Sequence, residues 1–129
     1  MEKVLIVDDQ IYFCHLAREI LSDCSRFAVV GEAYGAQQAM ELVGELQPDV
    51  VLMDVEMEGI NGLEATSLIR GQFPRVRVVL MSLYDEKEYS RLATRVGAMA
   101  FIPKKDFSVP ALKQILAQGP FDAHDLEPM

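Results

Sequence analysis

Five polar side chains of the sequence each follow a short apolar run by one or two residues. They are three carboxylates, one hydroxyl and one ammonium: Asp8, Asp9, Asp54, Ser82 and Lys104. Carboxylates that pack together repel, and each raises the free-energy cost of ionising the others. A hard divalent cation relieves that repulsion, and oxygen ligands suit Mg²⁺. The set therefore predicts a Mg²⁺ site that contains a reactive aspartate.

The same residues predict a reaction. An aspartate carboxylate can attack phosphorus and form an aspartyl phosphate. Bound Mg²⁺ would neutralise charge on the transferring group, Lys104 would pair with another phosphoryl oxygen, and Ser82 would donate a hydrogen bond. We assign Asp54 as the acceptor. The chain shows no further machinery for an elaborate substrate.

The elements that must position these residues alternate regularly. Apolar runs and amphipathic stripes follow one another five times, without an internal sequence repeat. The predicted strands cover residues 3–7, 27–33, 50–53, 76–81 and 99–102. Short strands that are apolar throughout and separated by helices predict a parallel sheet with helices on both faces. The carboxyl ends of such strands meet at one edge, where ligands of open α/β sheets bind.

The period of apolar residues predicts which helical side chains face the sheet. The predicted inward-facing residues are Phe13, Leu16, Ala17, Ile20 and Leu21 in the first helix and Ala65, Leu68 and Ile69 in the third. The fourth helix is expected to begin near Asp85, because Asp85, Glu86 and Glu88 would place negative charge in its first turn. The last helix is expected around residues 109–116.

Composition narrows the function classes. A chain of 129 residues has the size of one domain, and its net charge of −8 disfavours direct nucleic-acid binding.

The longest apolar run has five residues (98–102), far short of a membrane span. No secretory segment fits, so a cytoplasmic location is expected. Cys14 and Cys24 lack metal-site spacing. Residues 119–129 are expected to form a loose acidic tail.

The motifs together resemble a known family, the receiver domains of two-component response regulators. Asp8-Asp9 resembles the family's acidic pair, and residues 54–57 (Asp-Val-Glu-Met) resemble its phosphoacceptor motif, with Gly62 opening the next helix. Ser82 matches the hydroxyl residue after the fourth strand. Residues 97–104 resemble the family's segment from Gly-Ala through an aromatic residue to lysine. The likeness covers about residues 2–118, so we expect a receiver domain over residues 1–118.

The resemblance implies a fold and a set of roles. The fold would be a flavodoxin-like (βα)5 domain, doubly wound, with parallel strands in the order 2-1-3-4-5. Asp54 would be the phosphoacceptor, Lys104 the phosphoryl partner, and Ser82 and Phe101 the switch residues. The implied Mg²⁺ ligands are Asp8, Asp9, Asp54 and the backbone carbonyl of Glu56.

The implied function is a phosphorylation-dependent signalling switch. A sensor histidine kinase or a phosphotransfer protein would supply the phosphoryl group, and the fourth helix, fifth strand and fifth helix would relay it. The output would be a partner protein or an output domain, and homodimerisation on phosphorylation is one expectation. The chain would not be an enzyme beyond catalysing its own phosphorylation and dephosphorylation, and no membrane partner is expected.

Three positions depart from the family pattern. Glu58 stands where proline often follows the phosphoacceptor motif. Lys105 stands where many receivers have a cis-proline, and Phe101 replaces the commoner tyrosine. These changes bear on how a signal leaves the site more than on phosphorylation itself.

Other readings of the same residues stay open at this point. Asp8-Asp9 could cap a helix, Asp54 could cap a turn, and Ser82 could cap the fourth helix. Lys105 could replace Lys104 as the phosphoryl partner. Two other functions remain: an interaction module that does not switch, and an Asp-nucleophile phosphatase of the haloacid-dehalogenase type. Glu56 argues against the phosphatase, since that family has an aspartate two residues after its nucleophile.

Overall fold

The strands and helices follow the predicted alternation. The computed structural model describes residues 1–118, so the expected acidic tail lies outside the described residues. The strands are β1 (Glu2–Val7), β2 (Phe27–Ala33), β3 (Val50–Asp54), β4 (Arg77–Ser82) and β5 (Ala100–Pro103). The helices are α1 (Ile11–Ser22), α2 (Ala36–Leu46), α3 (Gly62–Gln72), α4 (Lys87–Arg95) and α5 (Val109–Leu116). A short 3₁₀ helix, Lys104–Asp106, which the sequence analysis did not predict, follows β5.

All strand pairs of the sheet are parallel, in the order β2-β1-β3-β4-β5. The predicted fold class is therefore confirmed. The sheet can be parallel because its central strands are apolar on both faces: Val4 to Val7 and Val50 to Met53 are all buried.

Alternate residues of the central strands enter two separate cores. Leu5 and Val51 pack in a core with α2, α3 and α4 residues, whereas Val4 and Leu52 pack in a core with α1 and α5 residues. This division follows from the two-residue period of a strand, which sends successive side chains to opposite faces. Helices therefore cover both faces of the sheet, as predicted.

Two predicted inward-facing residues are exposed. Leu16 is 45% exposed and Leu68 is 50% exposed. In α1 the buried row is Phe13, Cys14, Ala17 and Leu21, which places Leu16 beside the row rather than on it. Leu68 likewise precedes Ile69, the buried residue of its turn. An apolar stripe is wider than the line of contact, so its flanking residues remain in solvent.

The predicted start of the fourth helix was also wrong. Helix α4 begins at Lys87 with Glu86 as its N-cap, so only Glu88 of the three acidic residues lies in its first turn. Asp85 precedes the helix.

Among the described residues, no helix is both long enough and apolar enough to cross a membrane.

Candidate functional site

Strand register brings the predicted residues to one edge of the sheet. Val7 of β1 pairs with Met53 of β3, so the next residues, Asp8 and Asp54, emerge side by side. Ser82 ends β4 opposite Pro103 of β5, directly before Lys104. Parallel strands place all these carboxyl ends on the same side. The five polar residues singled out in the sequence therefore share one edge.

Lys104 lies inside the acidic group. Its ammonium nitrogen is 2.6 Å from Asp8 Oδ2 and 3.4 Å from Asp54 Oδ1. Both carboxylates are buried, and the lysine side chain is 3% exposed. Lys105, the alternative considered for this position, is largely exposed and lies 3.9 Å from Asp85. Lys104 is thus the lysine that contacts the predicted phosphoacceptor.

Two residues that the sequence analysis did not assign to the site also contact this lysine. The ring of Phe13 lies under the ammonium group, 4.6 Å from nitrogen to ring centroid. Gln10 Oε1 lies 3.5 Å from the same nitrogen. Gln10 directly follows the acidic pair, and that adjacency could have pointed to it. Together with the carboxylates, these contacts fix the position of the charge.

The electrostatics of Asp54 are unusual for a carboxyl group. Burial first, and then the nearby Asp8 carboxylate, raise its pKa from 3.8 to about 7, although Lys104 opposes the shift. The pKa of Lys104 is raised as well: burial lowers it, but the Asp8 and Asp54 carboxylates outweigh that effect. Ionising Asp54 therefore costs free energy, and an additional cation bound nearby would reduce that cost.

The carboxylates form a cluster of oxygens with the dimensions of a cation site. Oxygens of Asp8, Asp9 and Asp54 all lie within 4.8 Å of one another, and Asp9 is the exposed member. Asp8 Oδ2 and Asp54 Oδ1 are buried and share one cation, Lys104, without a well-aligned hydrogen bond within the described part of the chain. Oxygens bound to Mg²⁺ at about 2.1 Å stand roughly 3 to 4 Å apart. This all-oxygen donor set, in which three carboxylates lie close to one another, thus fits Mg²⁺.

The remaining carboxylate oxygens hold the loops of the site. Asp8 Oδ1 accepts a hydrogen bond from the backbone N–H of Gln10 at 2.8 Å. Asp9 Oδ2 accepts one from the backbone N–H of Glu58 at 3.1 Å. The N-cap residue of α1 is Gln10 and not Asp8 or Asp9, and the Gln10 side chain makes no capping hydrogen bond. The acidic pair instead joins the loop after β1 to the loop after β3.

Gly62 allows α3 to begin directly against the end of β3. A Cβ atom at this position would overlap the backbone carbonyl oxygen of Asp54. The Gly62 N–H donates to the carbonyl of Val55 at 2.8 Å. The glycine is therefore required for a close backbone approach, and it holds the loop beside Asp54.

Within the described residues, the Ser82 hydroxyl makes its hydrogen bonds to residues other than Asp54. The hydroxyl oxygen lies 2.7 and 2.8 Å from the two side-chain oxygens of Glu56. It also accepts a hydrogen bond from the backbone N–H of Tyr84 at 2.9 Å. Because Glu86 is the N-cap of α4, Ser82 does not cap that helix.

Glu56 links Ser82 to the predicted aromatic switch residue. The Tyr89 hydroxyl donates to Glu56 Oε2 at 2.8 Å, and this hydrogen bond raises the pKa of Tyr89 to about 12. The Tyr89 ring packs edge-on against half-buried Phe101, with 5.3 Å between ring centroids. The sequence analysis gave Glu56 only a backbone role and predicted no contact between Glu56 and Tyr89. Their side-chain contacts are new in the structure.

The sheet order and an acidic edge that closes around one lysine define the class of this chain: a flavodoxin-like α/β domain with a receiver-type site. Comparison with known proteins agrees. The family model described as "Response regulator receiver domain" matches residues 4–117. The chain belongs to that family, whose members serve as phosphoacceptor domains in two-component signalling.

Curated relatives are longer proteins. The chain is 33% identical over 120 residues to the transcriptional regulatory protein DegU of Brevibacillus brevis, which covers 91% of this chain and 50% of that protein. It is 40% identical over 113 residues to a protein-glutamate methylesterase/protein-glutamine glutaminase of Pseudoalteromonas atlantica, covering 87% and 30%. The chain therefore spans half or less of these two relatives.

Solved structures give the same family. The signal receiver domain of NarL from Mycobacterium tuberculosis has a TM-score of 0.82 at 32% identity, covering 92% of this chain and 97% of that one. The response regulator domain of CheB from Thermotoga maritima has a TM-score of 0.80 at 32% identity, covering 99% of both. These similarities extend over the whole sheet and its helices.

Proposed function

We propose that this chain is a phosphorylation-dependent signalling switch that accepts a phosphoryl group on Asp54. The supporting observation is the position of Asp54, buried beside Asp8 and within 3.4 Å of the Lys104 ammonium. The donor would be a sensor histidine kinase or a phosphotransfer protein. Apart from its own phosphorylation and dephosphorylation, we assign no catalysis to the chain.

The residues divide the work of the transfer. Asp8, Asp9, Asp54 and the Glu56 backbone carbonyl would hold Mg²⁺, which supplies positive charge at the phosphoryl oxygens when it is bound. An oxygen of the Asp54 carboxylate attacks phosphorus, and the bond between phosphorus and the donor's imidazole nitrogen breaks. The electron pair of that bond leaves with the imidazole. Lys104 pairs with a phosphoryl oxygen, which compensates the charge that the transfer brings in.

The high pKa of Asp54 fits this role. A carboxyl group with a pKa near 7 is a poor nucleophile when it keeps its proton. Lys104 already favours the ionised form, and a bound cation would favour it further. A bound cation would therefore increase the fraction of Asp54 that is ionised and nucleophilic near neutral pH.

The signal would leave the site through α4, β5 and α5. Ser82 ends β4 next to β5, and Phe101 of β5 contacts Tyr89 of α4. A change at Ser82 can thus reach both elements through direct contacts. We propose this surface as the site of output binding or of homodimerisation on phosphorylation. We also propose that the protein is located in the cytoplasm.

Acetyl phosphate provides the direct experiment. With Mg²⁺, the wild-type chain should gain one phosphoryl group by intact mass, and Asp54→Ala should gain none. Asp85→Ala removes an exposed carboxylate near the same edge and should be labelled like the wild type. Labelling of Asp54→Ala at the wild-type level would refute the assignment.

The alternatives make different predictions. A non-switching interaction module would bind its partner equally well with or without beryllofluoride, a phosphoryl mimic, and Mg²⁺. A phosphatase would turn over a small phosphate ester many times per molecule. The proposed switch should show neither behaviour.

A further inference from the structure

The hydrogen bonds of Ser82 conflict with its expected role. A serine hydroxyl has one proton to donate. In this structure the proton is directed at the Glu56 carboxylate, whose two oxygens lie 2.7 and 2.8 Å from Ser82 Oγ. Ser82 is fully buried, so no solvent competes for it. The hydroxyl cannot serve a phosphoryl group on Asp54 while this contact persists.

Glu56 itself is held in place. The Tyr89 hydroxyl donates to its Oε2 atom at 2.8 Å, and the Tyr89 ring rests against Phe101. The four side chains form a connected set, Ser82–Glu56–Tyr89–Phe101, which we call the Glu56 latch. It runs from the end of β4 through the loop after β3 to α4 and β5.

We propose that Glu56 is a positioning residue that holds Ser82 in the unphosphorylated state and must release it when Asp54 is phosphorylated. This inference rests on the proposed function. A phosphoryl group on Asp54 would compete for the same proton of Ser82. Its negative charge would also repel the neighbouring Glu56 carboxylate, so that one event weakens the latch in two ways.

Release at Glu56 carries a consequence for α4. When the carboxylate moves away, Tyr89 loses its hydrogen-bond acceptor and is free to shift against Phe101. The latch therefore offers a contact route from the phosphoacceptor to α4 and β5. The latch also sets a threshold for switching, because breaking its hydrogen bonds uses part of the free energy that phosphorylation supplies.

Binding of beryllofluoride with Mg²⁺ measures the threshold. Glu56→Ala frees Ser82 and should bind beryllofluoride about tenfold more tightly than the wild type, the effect of one charge-assisted hydrogen bond. Glu58→Ala removes an exposed carboxylate two residues away and should bind within about twofold of the wild type, because its charge is solvent-screened. Circular dichroism establishes that the variants are folded.

A double-mutant cycle separates the latch from simple charge repulsion. Ser82→Ala alone should weaken beryllofluoride binding, since it removes the donor. In the Ser82→Ala background, Glu56→Ala should gain less than about threefold, because only the repulsion remains to be relieved. An equal gain in the two backgrounds would overturn the latch.

Fluorine NMR of 3-fluorotyrosine protein supplies a second readout. Adding beryllofluoride and Mg²⁺ should move the Tyr89 resonance, assigned with Tyr89→Phe. In Glu56→Ala the same resonance should already be displaced toward that position without the mimic. Tyr34 is the matched control, since its hydroxyl also lies 3.0 Å from a glutamate, Glu32, outside the latch. A Tyr89 resonance that ignores both changes would contradict the proposal.

Failure of the latch and failure of the proposed function are distinguishable. If wild-type protein does not bind beryllofluoride with Mg²⁺ and is not labelled by acetyl phosphate, the proposed function fails. If the wild type does both, while Glu56→Ala gains nothing over Glu58→Ala, only the latch fails.

Discussion

The edge of the sheet where the strands begin and the edge where they end differ in how their charged side chains are paired. At the amino edge, where the strands begin, charges are paired. Glu2 lies 2.5 Å from Arg77 and 3.9 Å from Arg26. Asp49 accepts the backbone N–H of Lys3 at 2.7 Å, and the Lys3 ammonium donates to the carbonyl of Leu46.

At the carboxyl edge, negative charge is in excess. Oxygens of Asp8, Asp9 and Asp54 lie within 4.8 Å of one another, and the first and third of these residues are buried and contact Lys104. Asp8 and Asp54 share the single Lys104 ammonium, and the two oxygens nearest to it accept no well-aligned hydrogen bond from the described residues. The same sheet therefore has one edge where charges are paired and one where carboxylates outnumber the cation that they contact.

This difference separates stability from function. A chain selected only to fold would pair the carboxyl edge as it pairs the amino edge. The excess of carboxylates has a physical use if a cation and a phosphoryl group bind there, because both relieve or exploit the imbalance. Changes at the carboxyl edge should accordingly have larger effects than matched changes elsewhere, and some should stabilise the fold.

Gly62→Ala should have the largest effect. The new methyl group would overlap the carbonyl of Asp54, so the start of α3 must move, and we expect a loss of about 4 kcal/mol in the free energy of unfolding. Gly71→Ala, in the same helix but facing open space, should gain about 0.5–1 kcal/mol. Urea denaturation measures both. A tolerated alanine at position 62 would mean that the close approach is unimportant.

Lys104→Met should come next. It leaves two buried carboxylates without their cation, and we expect a loss of about 3 kcal/mol at neutral pH without Mg²⁺. Arg77→Met breaks the corresponding pair at the amino edge, where the groups are partly exposed, and should cost about 1 kcal/mol. Equal losses in chemical denaturation would remove the distinction between the edges.

Asp54→Asn should stabilise the metal-free protein. Below about pH 4 the carboxyl is protonated in both states; between its ordinary pKa of 3.8 and its folded value of about 7, only the unfolded chain ionises. Wild-type stability therefore falls over this window, and the variant escapes that loss. We expect an advantage of about 2 kcal/mol at pH 7.5 that shrinks toward pH 4. Thermal denaturation in EDTA across this pH range measures the difference in stability between the variant and the wild type. A difference that stays the same from pH 4 to pH 7.5 would contradict the raised pKa of Asp54.

Mg²⁺ should have the smallest effect. At about ten times its dissociation constant, it should stabilise the wild type by about 1.4 kcal/mol. Asp8→Asn should lose this response, whereas Asp49→Asn at the amino edge should keep it. Stabilisation of Asp8→Asn by the same amount would place the ion elsewhere.

The fold was predictable because its signals are local. Strands such as residues 50–53, apolar on both faces, indicate a buried parallel sheet. Once strands are parallel, residues that follow them must meet at one edge, which is why Asp8, Asp54 and Lys104 could be grouped. The helix stripes were less informative at their margins, since an exposed Leu68 has the same spacing as a buried one.

The rest of the site depends on side-chain directions that spacing does not encode. Glu56 lies 26 residues from Ser82 and 33 from Tyr89 along the chain, and only the packed structure brings their side chains together. Gln10 and Phe13 meet Lys104 from more than ninety residues away. Such contacts follow from tertiary packing, so sequence motifs indicated the residues that we propose to react and missed those that contact them.

The most direct test of the central claim is to locate the acyl phosphate. Borohydride reduces an aspartyl phosphate to homoserine, and peptide mapping by mass spectrometry then identifies the residue. After treatment with acetyl phosphate and Mg²⁺, homoserine should appear at position 54 and should be lost when EDTA replaces Mg²⁺. Homoserine at Asp8 or Asp9 with Asp54 intact, or equal modification in EDTA, would contradict the account.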